Sequence, residues 1–173
     1  GKDPGRAQDD MIAARRRPPV SVVDDAGVTR EVDYGHVGDV DRVDPRVLTT
    51  LLDARFVPVV SSLAGDSEGN VYNVNADTVA EAVAVALQAQ KLIFLTGAPG
   101  VMRDRADAST LISFADADDL KPLMSSGAIA GGMQPKVEAC LRAVARGVER
   151  THVIDGRAAD SLLLEVFTGS GLG

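Results

Sequence analysis

The sequence predicts an α/β fold layered around a largely parallel sheet, and three observations carry that expectation. From Val57 onward, short apolar strands alternate with longer helical patterns, the order in which parallel strands and crossover helices are laid down. Leu92-Ile93-Phe94-Leu95-Thr96 is a continuous apolar run, the pattern of a strand covered on both faces. Only 3% of residues are aromatic and Trp is absent, so the core has to come from Val, Leu, Ile and Ala, as when Ala-rich helices cover a sheet.

Taken in order, residues 1–19 are polar and charged and end in Arg15-Arg16-Arg17-Pro18-Pro19, which reads as a solvated loop or frayed edge. Val20–Val23 and Val28–Tyr34 read as strands joined by Asp24-Asp25-Ala26-Gly27, with Gly where a turn needs positive φ. Gly35–Val40 continues extended, and Asp44-Pro45 opens a helix running to about Ala54. Phe56-Val57-Pro58-Val59-Val60 reads as a short strand with its Pro at an edge or start. Leu63–Tyr72 is a small hairpin around Asp66–Asn70 that leads into Asn73-Val74-Asn75-Ala76-Asp77.

Val79, Ala82, Val83, Ala86 and Leu87 then follow the spacing of one helical face. Asn75 suits the N-cap, and Asp77 falls in the first turn, where the helix dipole favours an anion. After the strand Leu92–Thr96 comes Gly97-Ala98-Pro99-Gly100-Val101, a loop with little side-chain bulk, and then a charged excursion from Met102 to Thr110. Asp116–Ser126 is a helix closed by Gly127. Gly131-Gly132-Met133-Gln134-Pro135-Lys136 leads another, with Val137, Cys140, Leu141, Val144 and Ala145 on its expected buried face and Gly147 at its end. Thr151–Gly156 is a last strand and loop, and Asp160 caps a helix through Phe167.

Length suits a single domain with a sizeable core. Within it, residues 1–45 form a polar loop and hairpin region and 46–173 the main α/β portion. The formal net charge of −7 argues against nucleic acid or an anionic membrane as partner. An anionic substrate would therefore need locally placed cations or helix N-termini. The single Cys140 allows no internal disulfide, fits a reducing cytoplasm, and reads as a core residue. Two histidines and one cysteine make an intrinsic zinc site implausible, so no metal site is expected. No run approaches the length of a membrane span, and no leader is visible. The chain begins at Gly1 and is expected to be part of a longer polypeptide.

In a parallel sheet, ligands gather beyond the carboxyl ends of the strands. Three stretches fall at strand ends or helix starts: Asn73–Asp77, Thr96–Val101 and Gly131–Lys136. Capping explains Asn75 and Asp77 completely but leaves Asn73 without a local task. Lys136 stands in a first helical turn, against the dipole, so stability does not call for it. Exposed N–H groups, the adjacent glycines and the ammonium could hold a phosphate there, and a solvated lysine is the other reading. The P-loop and dinucleotide fingerprints are absent.

Asn-Val-Asn-Ala-Asp before an Ala-rich helix, Leu-Thr-x-x-x-Gly-Val after an apolar strand, Gly-Gly-Met-x-Pro-Lys, and Ile-Asp-Gly-Arg followed by Leu-Leu-Leu-Glu-x-Phe-Thr occur together here. In order and spacing, from about Val32 to Gly173, they resemble the N-acetylglutamate kinases of the amino acid kinase family. The resemblance implies a three-layer α/β/α sandwich with a mainly parallel central sheet. It implies ATP-dependent phosphorylation of the γ-carboxylate of N-acetyl-L-glutamate in arginine biosynthesis, with Mg2+ arriving on the ATP, and a homo-oligomer, either dimer or hexamer. Carried over by position, Lys136 and Asp77 are the expected catalytic pair: Lys136 stabilises the transferring phosphoryl group, and Asp77 orients the lysines. Asn73 and Asn75 are expected to bind the amino-acid substrate. Thr96, Gly97, Gly100, Val101, Met102, Ile129, Ala130, Gly131 and Gly132 are expected to line the nucleotide.

Thr96-Gly97 departs from the family's usual Thr-Asp. The family's N-terminal segment, with its glycine loop, a second catalytic lysine and a substrate-binding arginine, has no counterpart in these residues. The 173 residues alone are thus expected to bind nucleotide weakly without turning over. His152, Glu165 and Gly171 match positions that bind inhibitory arginine in feedback-sensitive members, which implies arginine as an effector. The alternative within the family is the non-catalytic, arginine-binding kinase-like domain of an N-acetylglutamate synthase. Kinases of the homologous aminoadipate substrate fit less well with the Asn-Ala-Asp loop. A bare binding or structural α/β module would leave Asn73 and Lys136 unused.

Overall fold

A computed structural model describes residues 10–24 and 27–167. The chain separates into two compact units, residues 1–87 and 88–173. The sequence distinguishes a hairpin region at 1–45 from an α/β portion at 46–173 within one domain; the compact units divide after Leu87. The first unit extends further because its last helix packs against its own sheet.

The first unit contains β1 (Ile12–Arg16), β2 (Val20–Val23), β3 (Thr29–Val32), β4 (Gly38–Val43), α1 (Arg46–Asp53), β5 (Leu63–Gly65), β6 (Val71–Asn73) and α2 (Ala76–Ala86). Four strands form one sheet in the order β4-β1-β5-β6, and β2 and β3 form a separate hairpin. β1 runs antiparallel to β4, with an irregularity between Ala13 and Ala14, and parallel to β5. The polar N-terminal stretch is therefore not all loop: β1 lies inside the sheet, with Ile12 and Ala14 buried. Its alternation is only three residues long before the arginines begin, too short to stand out against the charge around it.

The core of this unit joins Ile12, Ala14, Ala64, Tyr72, Val74 and Val79, with Met11, Val40, Val43, Val60 and Val83 packed against them. Gly38 is needed for this packing, because a Cβ there would lie 2.8 Å from Tyr72 Cβ and 3.0 Å from the Arg15 carbonyl oxygen. Phe56–Val60, read as a strand, is not one; Val57 and Val59 are 88% and 97% exposed. Its β-branched residues favour extended backbone, but a strand also needs a partner ladder. The Asp25-Ala26 part of the expected hairpin turn lies outside the described residues; Gly27 has the expected positive φ of 76°.

The second unit contains β7 (Lys91–Thr96), a 3-10 turn at Ala108–Thr110, α3 (Ala117–Ser125), α4 (Met133–Ala145), β8 (Arg150–Asp155) and α5 (Ser161–Phe167). β7 and β8 pair in parallel, in register from Lys91 opposite Arg150 to Thr96 opposite Asp155. α4 packs on both strands and α5 on β8. Leu92, Phe94, Ile129, Val137, Ala139, Cys140, Ala143, Val148, Val153 and Ile154 are buried. The buried face of α4 is Val137, Ala139, Cys140 and Ala143, rotated from the expected stripe, since Val144 is 49% exposed. Ala139 and Ala143 are small enough to bring the helix close to the strands, which draws that face inward. Asp116 closes a capping box with Asp119 at the start of α3. Asp160 precedes α5 with φ of 59°, and its carbonyl accepts from Leu164 N. That left-handed backbone differs from the extended conformation of an ordinary N-cap. The parallel pair and the mixed sheet make the chain mixed α/β, as expected.

Candidate functional site

The predicted site residues fall on both units. In the first unit, β6 ends at Asn73, whose N–H donates to the His36 carbonyl at 2.8 Å. Its side chain is exposed. Two residues on, Asn75 Oδ1 accepts from the N–H groups of Asp77 at 2.9 Å and Thr78 at 3.1 Å. Asn75 is thus the N-cap of α2, with Asp77 in its first turn. The helix starts there because the amide satisfies two N–H groups that have no intrahelical partner. The turn feeding β6 is built on Asp66, which accepts from the N–H groups of Glu68 and Asn70 and from Tyr72 Oη at 2.6 Å. The Asn70 side chain first, and then the Tyr72 hydroxyl, hold the Asp66 carboxyl far below the usual carboxylate range.

In the second unit the strand ends come together. Thr96 and Asp155 are register partners, and Gly156 N–H donates to the Thr96 carbonyl at 2.9 Å. A Cβ on Gly156 would meet Leu95 Cβ at 3.1 Å, so the two loops pass closely. Thr96 Oγ1 accepts from Ala98 N–H at 2.9 Å, which turns the chain out of β7. Gly97 is exposed, and Gly100 is buried. With φ of 152°, a Cβ at Gly100 would lie 2.8 Å from Leu111 Cδ1. Val101 and Met102 continue from it, and Met102 bridges Leu111. The Arg157 guanidinium, and next its backbone N–H, hold the Asp155 carboxyl down at about 2.

Ile129 is 2% exposed and anchors the segment that carries Ala130, Gly131 and Gly132. Gly131 has φ of 60°, and Gly132 occupies the N-cap of α4 without a side-chain cap. Lys136 lies in the first turn of that helix, its Nζ 5.7 Å from the centroid of the buried Phe94 ring. The ammonium therefore lies over β7, two residues before Thr96, held in part by the negative face of the ring. Small residues at two strand-end loops, an uncapped helix start and an ammonium together suit a polyphosphate. Among the described residues no group of three or more His, Cys, Asp or Glu is arranged to hold a metal. No helix among them is long and apolar enough to cross a membrane.

His152 and Glu165 are brought together: His152 Nδ1 donates to Glu165 Oε1 at 2.5 Å, with the Glu165 side chain 3% exposed. His152 Nε2 is buried without a hydrogen-bond partner among the described residues. Gly171, the third member of that expected set, lies outside the described residues. Arg105, which no motif singles out, has its Nη1 3.9 Å from where a Cβ on Gly131 would stand. Its signal was a cation within a run of Asp, Ser and Thr turn residues.

A profile described as the Amino acid kinase family matches residues 8–155. An acetylglutamate kinase of Myxococcus xanthus (strain DK1622) is 49% identical over 94% of the chain and 53% of its own length. An acetylglutamate kinase of Methanothermobacter thermautotrophicus is 43% identical over 98% of the chain and 58% of its own. The chain thus spans little more than half the length of these curated relatives. Among solved structures, N-acetylglutamate synthase from Neisseria gonorrhoeae, complexed with coenzyme A and L-arginine, superposes with a TM-score of 0.78 at 28% identity. That match covers 94% of the chain and 35% of the synthase chain.

Proposed function

Since the chain belongs to the amino acid kinase family, we propose that it is the nucleotide-binding portion of an acetylglutamate kinase, which phosphorylates the γ-carboxylate of N-acetyl-L-glutamate for arginine biosynthesis in the cytoplasm. The observation that carries this reading is Lys136, an ammonium kept in the first turn of α4 beside Gly131-Gly132 and over Phe94. Phosphoryl transfer asks for positioning and charge stabilisation more than covalent chemistry. Lys136 would neutralise the charge that spreads over the transferring group, and the N–H groups at the start of α4 would hold its oxygens. Thr96, Gly97, Gly100, Val101, Met102, Ile129, Ala130, Gly131 and Gly132 would line the nucleotide. Asp77 would orient the cationic groups, and Asn73 and Asn75 would bind the acetylated amino acid. Mg2+, carried by the phosphates, supplies further charge neutralisation when bound.

The test is phosphorylation of N-acetylglutamate with Mg-ATP by a polypeptide of the relatives' full length carrying these residues, native and with Lys136→Ala. Activity in the native protein that falls by a factor of about 10² or more in the variant supports the assignment. Equal rates would overturn it. The 173-residue chain alone is proposed to bind nucleotide without turning over, and robust activity from it would refute that.

A second reading is favoured by one observation, the similarity to an N-acetylglutamate synthase that was crystallised with L-arginine. In that reading His152, Glu165 and Gly171 bind arginine, and the domain regulates without transferring phosphate. Arginine binding without any phosphorylation would decide for it, while arginine inhibition of an active enzyme would make the same residues a feedback site.

A further inference from the structure

We propose that Arg105 is an additional nucleotide-contacting residue, held by a rigid loop so that its guanidinium engages the polyphosphate at the glycine turn before α4. The inference rests on the nucleotide reading above and adds to it a cation outside the motifs that carry that reading. Residues 102–111 form an excursion closed at its base by the Met102–Leu111 bridge and by Ile112 N–H donating to the Val101 carbonyl at 2.9 Å.

Inside the loop, Arg103 N–H donates to the Thr110 carbonyl at 3.1 Å. Asp104 N–H donates to Thr110 Oγ1 at 3.0 Å, and Thr110 Oγ1 donates to the Asp107 carbonyl at 2.6 Å. Both carboxylates serve the loop itself: Asp104 accepts from Ala106 N–H, and Asp107 accepts from the N–H and hydroxyl of Ser109. A loop so fully satisfied presents its side chains from a fixed backbone.

Arg105 is exposed, yet its Nη1 lies within 3.9 Å of the Cβ position of Gly131. It therefore stands beside the φ 60° glycine and not out in solvent away from the body. A guanidinium matches the oxygens of a phosphate with paired donors. The glycine leaves room between the two groups, which a side chain at 131 would fill.

The experiment is an NMR titration of the 173-residue chain with Mg-ATP, using native protein, Arg105→Ala and Arg105→Lys, with thermal melts of all three. The expected result is a dissociation constant about tenfold or more higher for Arg105→Ala. Arg105→Lys should fall between the two, and all three should melt alike. Native-like affinity in Arg105→Ala would overturn the proposal, as would a loss of affinity matched by a loss of melting temperature. A native chain that binds no ATP would instead remove the nucleotide reading on which the proposal stands.

Discussion

Asn75 and Asn73 stand two residues apart and have different accounts. Asn75 Oδ1 takes two backbone N–H groups at the start of α2, a local task that could be read from an amide placed before an apolar-periodic run. Replacing it with Ala should lower stability by about 1 kcal/mol, measured by denaturant unfolding; an unchanged midpoint would show that the cap is dispensable. Among the described residues Asn73 has no comparable side-chain task, which keeps it a binding candidate. Lys136 was legible as an anomaly against the helix dipole, but its seat over Phe94 was not, because residues 94 and 136 meet only through the packing of α4 on β7. The same holds for His152 and Glu165, whose pairing depends on where α5 docks.

Acid sensitivity belongs to this scale as well. The Asp155 carboxyl is held at about 2 by the Arg157 side chain and N–H, and Asp44 at about 2 by the Arg46 side chain and N–H. Asp66 is depressed by the Asn70 side chain and the Tyr72 hydroxyl. In an unfolded chain such groups titrate near 3.9. Their folded values are lower, so the stability they contribute is fully present above about pH 4 and is lost as pH falls toward 2. The chain should therefore lose melting temperature through that window. Asp66→Asn and Asp155→Asn should each flatten the slope; an acid limb identical to the native one would show that these contacts do not distinguish the folded state.

At the scale of elements, local pattern served well where the element makes its own case and failed where pairing decides. The α2 and α3 starts carry side-chain caps at Asn75 and Asp116, and β7 is an apolar strand, so each was legible as an element. The expected cover on both faces of β7 is not met at Leu95, which is 52% exposed. β1 is the opposite case. Met11 to Arg16 shows little strand signal, and its place comes from β4 on one side and β5 on the other. Phe56–Val60 has the composition of a strand without becoming one. Gly38 shows how tightly β4 meets β6: a Cβ there would press on the Tyr72 side chain and on the backbone carbonyl of Arg15. Backbone cannot swing aside as a flexible side chain can, so Gly38→Ala should cost about 1–3 kcal/mol. An unfolding midpoint unchanged in urea would contradict that packing.

For the whole molecule, the α/β class and the family were accessible from the order and spacing of motifs, each weak alone. The boundary after Leu87 was not, because it depends on α2 packing against β4 and not on any break in composition. Asn73, Asn75 and Asp77 lie in the first unit, and the strand-end loops and Lys136 in the second. The central claim is that the second unit binds nucleotide at the ends of β7 and β8. The most direct test is an amide-detected NMR titration of the 173-residue chain with Mg-ATP. The account predicts saturable shifts concentrated at Thr96–Met102 and Ile129–Gly132, reduced in Lys136→Ala; shifts that are absent, or that cluster elsewhere, would contradict it.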